Sequence, residues 1–340
     1  MKKFLSILLV ATFAIAMAAC SSASGSASSK SSSAAVASGS TAEEVKWPSK
    51  TVELVLTAKA GGDTDFNART FATSFEKYTG VPMIITNEAG SNGAIAMDDV
   101  KNRKPDGGSA LFCHTGQLVI NKINGNLDYD QDAFAVSCIP AVNSAYVLVA
   151  GQKSGIASVS DLIEKAKANP STVIYGTEMG GYTHLQALQL QQIAGIELKI
   201  VDAGSASDKV TGLLNGSFDV AAIPYSSAAD YQTTGQMVVL AQYGEEANTL
   251  LPAEIPTLKS EGVDLVDVIP YIISFPEGTD PAIVNKMSDV AEQVAADPEY
   301  QAQIRDAYAQ EPTVYAHDDA IAYLDEVRSR YQGYADLLNG

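Results

Sequence analysis

A two-domain α/β protein is predicted from three features of the chain. Short apolar runs alternate with amphipathic segments, the rhythm of βαβ units and of largely parallel sheets covered by helices on both faces. Glycine-rich turns recur where an apolar run gives way to an amphipathic one. The roughly 295 residues that follow a low-complexity N-terminal stretch suit two domains better than one.

In order along the chain, residues 51–56 read as a strand. The loop Lys59-Ala60-Gly61-Gly62-Asp63-Thr64-Asp65 then leads into a helix with Ala68, Phe71, Ala72, Phe75 and Tyr78 on one face. Thr64 is the expected N-cap of that helix. A strand at 83–86, a helix at 92–103 and strands at 110–113, 133–140 and 145–150 follow. The alternation then continues with helix 159–168, strand 173–176, helix 183–194, strand 198–202, helix 207–215 and strand 218–223. The last third turns helical, with helices at 281–296, 298–309 and 318–338. The final one carries Ile321, Leu324, Val327, Tyr331, Tyr334 and Leu338 as a stripe, and Asp318 and Asp319 suit its positive first turn.

The N-terminus supplies an address. Lys2 and Lys3, the apolar residues 4–17 and the small stop Ala18-Ala19-Cys20 have the order of a secretory signal, the apolar run being short for a spanning helix. A cysteine after two alanines resembles the processing site of bacterial lipoproteins, where the thiol is acylated and the residue becomes the mature N-terminus. Residues 1–19 are therefore read as a signal peptide and Cys20 as the lipidation site. Residues 21–45 are almost entirely Ser, Ala and Gly, too poor in apolar surface to offset ordering entropy. Such a tether spans roughly 25–30 Å as a flexible coil. The expected location is extracytoplasmic, on the cell membrane.

Without Lys2 and Lys3 the formal charge passes from −18 to about −20. Such acidity argues against nucleic acid and anionic lipid as partners, and obliges any anion site to act locally. Cys113 and Cys138 lie in apolar, strand-like stretches, where a disulfide and two buried thiols are both open. The three histidines are scattered and no Cys/His ligand spacing occurs, so no metal or cofactor is expected.

Four loops carry the candidate site. The first is Lys59 to Asp65, where Gly61 and Gly62 let backbone approach a ligand and the freed amides of the next helix point outward. The second is Tyr175-Gly176-Thr177-Glu178-Met179-Gly180-Gly181-Tyr182-Thr183-His184-Leu185, in which Gly181 is expected to need φ > 0. The third is Gly204-Ser205-Ala206-Ser207, and the fourth His114-Thr115-Gly116. In open α/β sheets ligands sit beyond the carboxyl ends of strands, where such loops meet helix N-termini and favour an anion. No G-x-S-x-G, H-E-x-x-H, Walker or CxxC pattern occurs, so an enzyme is not expected.

Several strings stand in a familiar order. They are Trp47-Pro48-Ser49-Lys50, Gly61-Gly62-Asp63-Thr64-Asp65, Asn87-Glu88-Ala89-Gly90-Ser91-Asn92-Gly93, Lys104-Pro105-Asp106-Gly107, and Tyr175-Gly176 through His184-Leu185. Asn215-Gly216-Ser217-Phe218-Asp219, Glu254-Ile255-Pro256-Thr257, and Gly278-Thr279-Asp280 with Ile283-Val284 complete the series. In these the chain resembles the substrate-binding receptors of tripartite tricarboxylate transporters, the Bug or TctC-type family. The resemblance implies a type II periplasmic-binding-protein fold, with residues 46–147 and 268–340 in one domain, 148–267 in the other, and the ligand in the cleft between them. It implies a di- or tricarboxylate, acidic amino acid or aromatic carboxylate as ligand, and large and small integral membrane subunits as partners of a monomer. It puts Gly61, Gly62, Thr64 and Asp65 in one wall, Thr115, Thr177, Gly180, Gly181, Tyr182, Thr183 and His184 in the rest, and Ser207 at a further helix start.

The chain departs from the family at Ala58-Lys59, where an aromatic and a proline are usual. It also departs at Ala203-Gly204, in place of Tyr-(Lys/Arg), and at Ile223-Pro224, in place of Asp-Asn. Lys59 is expected to approach a distal carboxylate of the ligand. A receptor for an ABC importer, or a stand-alone carboxylate sensor, would use the same helix-end physics.

Overall fold

The computed structural model describes residues 45–339. The signal segment, Cys20 and nearly all of the Ser/Ala tether lie outside the described residues. The first apolar run forms β1 (Val52–Leu56), and the segment after it α1 (Asp63–Thr79). Ala68, Phe71, Ala72 and Phe75 are buried on the inner face of α1, whereas Tyr78 is 40% exposed. It falls in the last turn, next to the left-handed Gly80 cap that ends the helix. Next come β2 (Met83–Asn87), α2 (Ala94–Lys101), β3 (Ser109–His114), the single turns α3 (Thr115–Leu118) and α4 (Ile120–Ile123), and β4 (Phe134–Asn143).

After only Ser144 and Ala145 the chain enters β5 (Tyr146–Gly151). Then follow α5 (Val159–Ala168), β6 (Ile174–Thr177), α6 (Tyr182–Ala194), β7 (Lys199–Asp202), α7 (Ala206–Asn215), β8 (Val220–Pro224), α8 (Tyr225–Thr233) and β9 (Met237–Gln242). Residues 243–268 lead back to β10 (Ile269–Pro276). The chain finishes with α9 (Pro281–Ala295), α10 (Pro298–Tyr308), α11 (His317–Gln332) and α12 (Ala335–Asn339). The single helix expected at 318–338 is thus two, parted at Gly333, and Ile321 of its expected stripe is 38% exposed.

The strands assemble into two sheets of five, ordered β2-β1-β3-β10-β4 and β7-β6-β8-β5-β9. The first three strands of each are parallel, and the fourth runs antiparallel to both neighbours. The expectation of largely parallel sheets therefore needs correction, and the reason is the same in both. β10 and β5 each arrive from the opposite sheet, so no crossover helix constrains their direction. The sequence reading missed α8, β9 and β10; β10 is interrupted by Pro270 and ended by Pro276, which mask its apolar run.

This placement also decides the cysteines. Cys113 pairs with Ile272 and Cys138 with Ile273, so β10 lies between their strands. Two strand spacings put them about 9–10 Å apart, beyond the ~7 Å that a disulfide bridges. Both are buried free thiols, and burial pushes Cys138 up to about 12. Among the described residues no helix is long and apolar enough to cross a membrane.

Candidate ligand-binding cleft

All four loops singled out in the sequence leave the carboxyl ends of strands, β1, β3, β6 and β7, and each opens a helix. They differ in whether the chain itself satisfies the new helix end.

At α1 it does. Gly62, not Thr64, is the N-cap and offers no side chain; Thr64 is buried two positions further on, and its amide donates to Asp63 Oδ1 at 3.0 Å. Gly61, at φ 90°, donates its amide to Asp65 Oδ2 at 3.0 Å. Asp65 also receives Asn87 Nδ2 at 2.9 Å and Arg69 Nη2 at 2.9 Å. Burial alone would raise its pKa, but Arg69, the Gly61 amide and Asn87 hold it below the usual carboxylate range. Asp63, half-buried, accepts Tyr271 Oη at 2.8 Å and Asn143 Nδ2 at 3.5 Å on Oδ2. Two carboxylates of the chain thus already face the positive end of α1.

At α3 and α7 a side chain likewise takes up one first-turn amide. His114 caps α3, accepting the Gly116 amide on Nδ1 at 3.1 Å, while Gln117 Oε1 accepts the His114 amide at 2.9 Å. Burial pulls His114 down to about 4, so it is neutral at pH 7. Thr115 is fully buried, and its Oγ1 finds no hydrogen-bond partner among the described residues. On α7 the cap is Ser205 in a reciprocal box with Asp208, whose Oδ2 accepts the Ser205 amide at 3.0 Å. Ser207, where the helix was expected to begin, is exposed inside the first turn. Lys59 is also exposed and lies near enough to Asp208 for its charge to favour that carboxylate.

The start of α6 is different. Gly181 is its N-cap without a side chain, and among the described residues the first-turn amides of Tyr182, Thr183 and His184 meet no acceptor. The left-handed position in this loop is Gly180 (φ 74°) rather than Gly181 (φ −101°), which corrects the sequence expectation. Asn124 Nδ2 at 2.9 Å and Asn92 Nδ2 at 3.4 Å, both contributed by loops of the other sheet, donate to the Gly180 carbonyl. Its amide donates to His184 Nδ1 at 3.3 Å, and burial lowers the His184 pKa, keeping the ring a neutral acceptor. Thr177 and Thr183 share a hydroxyl contact of 2.7 Å. Tyr182 packs edge-on against His114 and Tyr146, with ring centroids 6.0 and 6.4 Å away.

Beside this helix end stands a residue that the sequence reading overlooked. Lys209, on α7, is 4% exposed, and its Nζ donates to Thr183 Oγ1 at 2.7 Å. Burial pulls it down to about 8, against the raising pull of Glu178, Asp63 and Asp202. A signal existed: Lys209 stands three and four residues before the buried Gly212 and Leu213, so it belongs to the inner stripe of α7. An open hollow between α9 and the start of α11, lined by Ser288, Glu292, His317 and Asp319, has an acidic wall and no such convergence of donors.

Two α/β domains, exchanged through their fourth strands and meeting where helix ends gather, define a solute-binding protein of the periplasmic-binding-protein fold. The sequence profile described as "Tripartite tricarboxylate transporter family receptor" matches residues 67–331, and the chain belongs to that family. It is 28% identical over 268 residues to the "UPF0065 protein in gbd 5′ region" of Cupriavidus necator, covering 78% of this chain and 80% of that relative. It is 26% identical over 246 residues to protein BugT of Bordetella pertussis, covering 70% and 74%. Its fold is that of Rpa4515 from R. palustris, solved with adipate (TM-score 0.77, 22% identity, 86% of this chain and 98% of that one). The same fold occurs in MatC from Rhodopseudomonas palustris, solved with bound malate (TM-score 0.74, 19% identity, 85% and 100%).

Proposed function

We propose that this chain is an extracytoplasmic receptor that binds a small carboxylate between its two domains and presents it to the large and small integral subunits of a tripartite tricarboxylate-type transporter. Lipid on Cys20 holds it to the cell membrane. The observation that carries the ligand assignment is the start of α6, where three unspent amides and a buried lysine converge. Adipate and malate in two structural relatives support the same ligand chemistry. The division of strands between the sheets supports domains of 46–147 with 268–340, and of 148–267.

In this proposal Thr177, Gly180, Gly181, Tyr182, Thr183 and His184 form the anion-holding wall. Gly61, Gly62, Thr64 and Asp65 bound the facing one, buried Thr115 joins from the start of α3, and Lys59 and Ser207 stand at the rim. A donor facing a charged oxygen contributes about 1.5–3 kcal/mol. Three or four of these, less the costs of association, support micromolar affinity, about −8 kcal/mol. A thermal-shift screen over a carboxylate library tests the proposal, since a ligand at 100 times its Kd adds about 2.7 kcal/mol of stability. Stabilisation by phosphonates or sugars and by no carboxylate would refute it.

A further inference from the structure

The entry to α6 is gripped from the opposite sheet. Gly180, two residues ahead of that helix, follows β6 of the second sheet, whereas the side chains that bond its carbonyl come from connections of the first. Asn124 Nδ2 donates at 2.9 Å from the end of α4, and Asn92 Nδ2 at 3.4 Å from the turn between β2 and α2.

Both donors are set in place by a cluster of asparagines. Asn121, fully buried on α4, bonds Asn92 twice: its Nδ2 donates to the Asn92 carbonyl at 2.8 Å, and its Oδ1 accepts Asn92 Nδ2 at 3.1 Å. Asn92 Nδ2 also meets the Gly116 carbonyl at 3.0 Å, so its contact with Gly180 is the weaker of the two. Asn124 turns Oδ1 to the Asn126 amide, 3.2 Å away, which leaves its Nδ2 to Gly180.

The chemistry of these donors suits the place. A lysine or arginine there would draw an anion to itself. An asparagine amide is neutral, and it ties the Gly180 carbonyl, the negative end of its peptide group, toward the first sheet. The Gly180 amide bonds His184 Nδ1 at 3.3 Å, so the peptide groups leading into α6 are fixed on both sides. The unspent amides of Tyr182, Thr183 and His184 follow directly. Tyr182 is itself 4% exposed and edge-on to His114 of β3, a second grip from the first sheet on the same helix start.

We propose that Asn124, assisted by Asn92, is a positioning residue of the receptor: it clasps the Gly180 carbonyl from the opposite domain, holds the two domains together and aims the free amides of α6. This rests on the receptor function proposed above and concerns how its site is assembled and released, not which carboxylate fills it.

Hydrogen exchange read by mass spectrometry on the full chain, with no ligand added, tests it, because local opening shows as faster exchange of the amides involved. In Asn124→Ala, peptides spanning 178–186 should exchange about tenfold faster than in wild type, the effect of one lost hydrogen bond. Peptides from β1 and β8 should keep their wild-type rates. Asn126→Ala is the control: its Nδ2 bonds Asn121 Oδ1 at 3.3 Å, within the first sheet's own connections, so exchange at 178–186 should stay at the wild-type rate. Should Asn124→Ala fail to fold, Asn124→Asp, which keeps the acceptor for Asn126 and loses only the donor, decides in its place. Wild-type exchange at 178–186 in the folded variant would overturn the proposal. So would a rise shared equally by β1 and β8, the mark of a general loss of stability. With malate or adipate as probe, release from Asn124→Ala should be about tenfold faster and capture unchanged. Slowed capture with unchanged release would make Asn124 a ligand contact and overturn its positioning role. A chain that binds no carboxylate would remove the receptor reading, and the exchange experiment would still decide the clasp.

Discussion

Asp267 should make the protein less stable as pH rises from 4 to 7. It lies in the segment that returns the chain to the first sheet, two residues before β10, and is 1% exposed. Its Oδ1 accepts Tyr331 Oη at 2.9 Å and Arg330 Nη2 at 3.4 Å. Its Oδ2 has no hydrogen bond among the described residues; the Tyr182 hydroxyl lies beside the carboxyl but falls short of bonding geometry. Burial raises the pKa from 3.8 to about 6, while Arg330 and the tyrosine hydroxyls offset part of the rise.

The folded chain therefore keeps this proton to a higher pH than the unfolded chain does. Its contribution to stability is complete below about pH 4 and is lost as pH rises through about 6. A difference of about two units corresponds to about 3 kcal/mol. Asp267→Asn preserves the shape and the acceptor for Tyr331 but cannot titrate. Urea unfolding at several pH values from 4 to 7 should show the variant gaining about 3 kcal/mol on wild type across that range. Carboxylates held below their usual range, such as Asp65, Asp106 and Asp297, titrate in both proteins and cancel in the difference. Parallel profiles would show that Asp267 has an ordinary pKa, and the reasoning from burial would be wrong.

The entry to α6 should be sensitive at Gly180 rather than Gly181. An alanine at φ 74° costs about 1–2 kcal/mol and displaces the free amides, so Gly180→Ala should weaken the best carboxylate of the screen about tenfold. Gly181→Ala, at φ −101° and 3.3 Å from the Glu178 carbonyl, should do less, and calorimetry showing the reverse order would place the strain elsewhere. Mass spectrometry of the mature protein should find an acylated Cys20, and Cys20→Ser should appear in the medium; membrane retention of that variant would exclude the anchor.

Much of the architecture was legible because it is local. Helix 159–168 has the bounds of α5, and the helix expected at 183–194 begins one residue late, since hydrophobic period and Gly punctuation are properties of neighbours in sequence. The loops that open helices beyond strand ends were legible for the same reason. What lay beyond the sequence was which of those helix ends is free. That depends on side chains such as Asp63 and Asp208 folding back onto their own first turns.

Composition and periodicity thus determined that this is an acidic two-domain α/β chain with a secretory N-terminal pattern. Glycine spacing showed where loops open helices beyond the strand ends. Tertiary structure alone decided that β10 separates Cys113 from Cys138, that Lys209 reaches Thr183 from 26 positions away, and that Tyr271 reaches Asp63 from 208 away. The physical reason is that an isolated segment shows its own period but not its partners. The charge environment of a buried group is set by whatever distant strands and helices the packing brings against it.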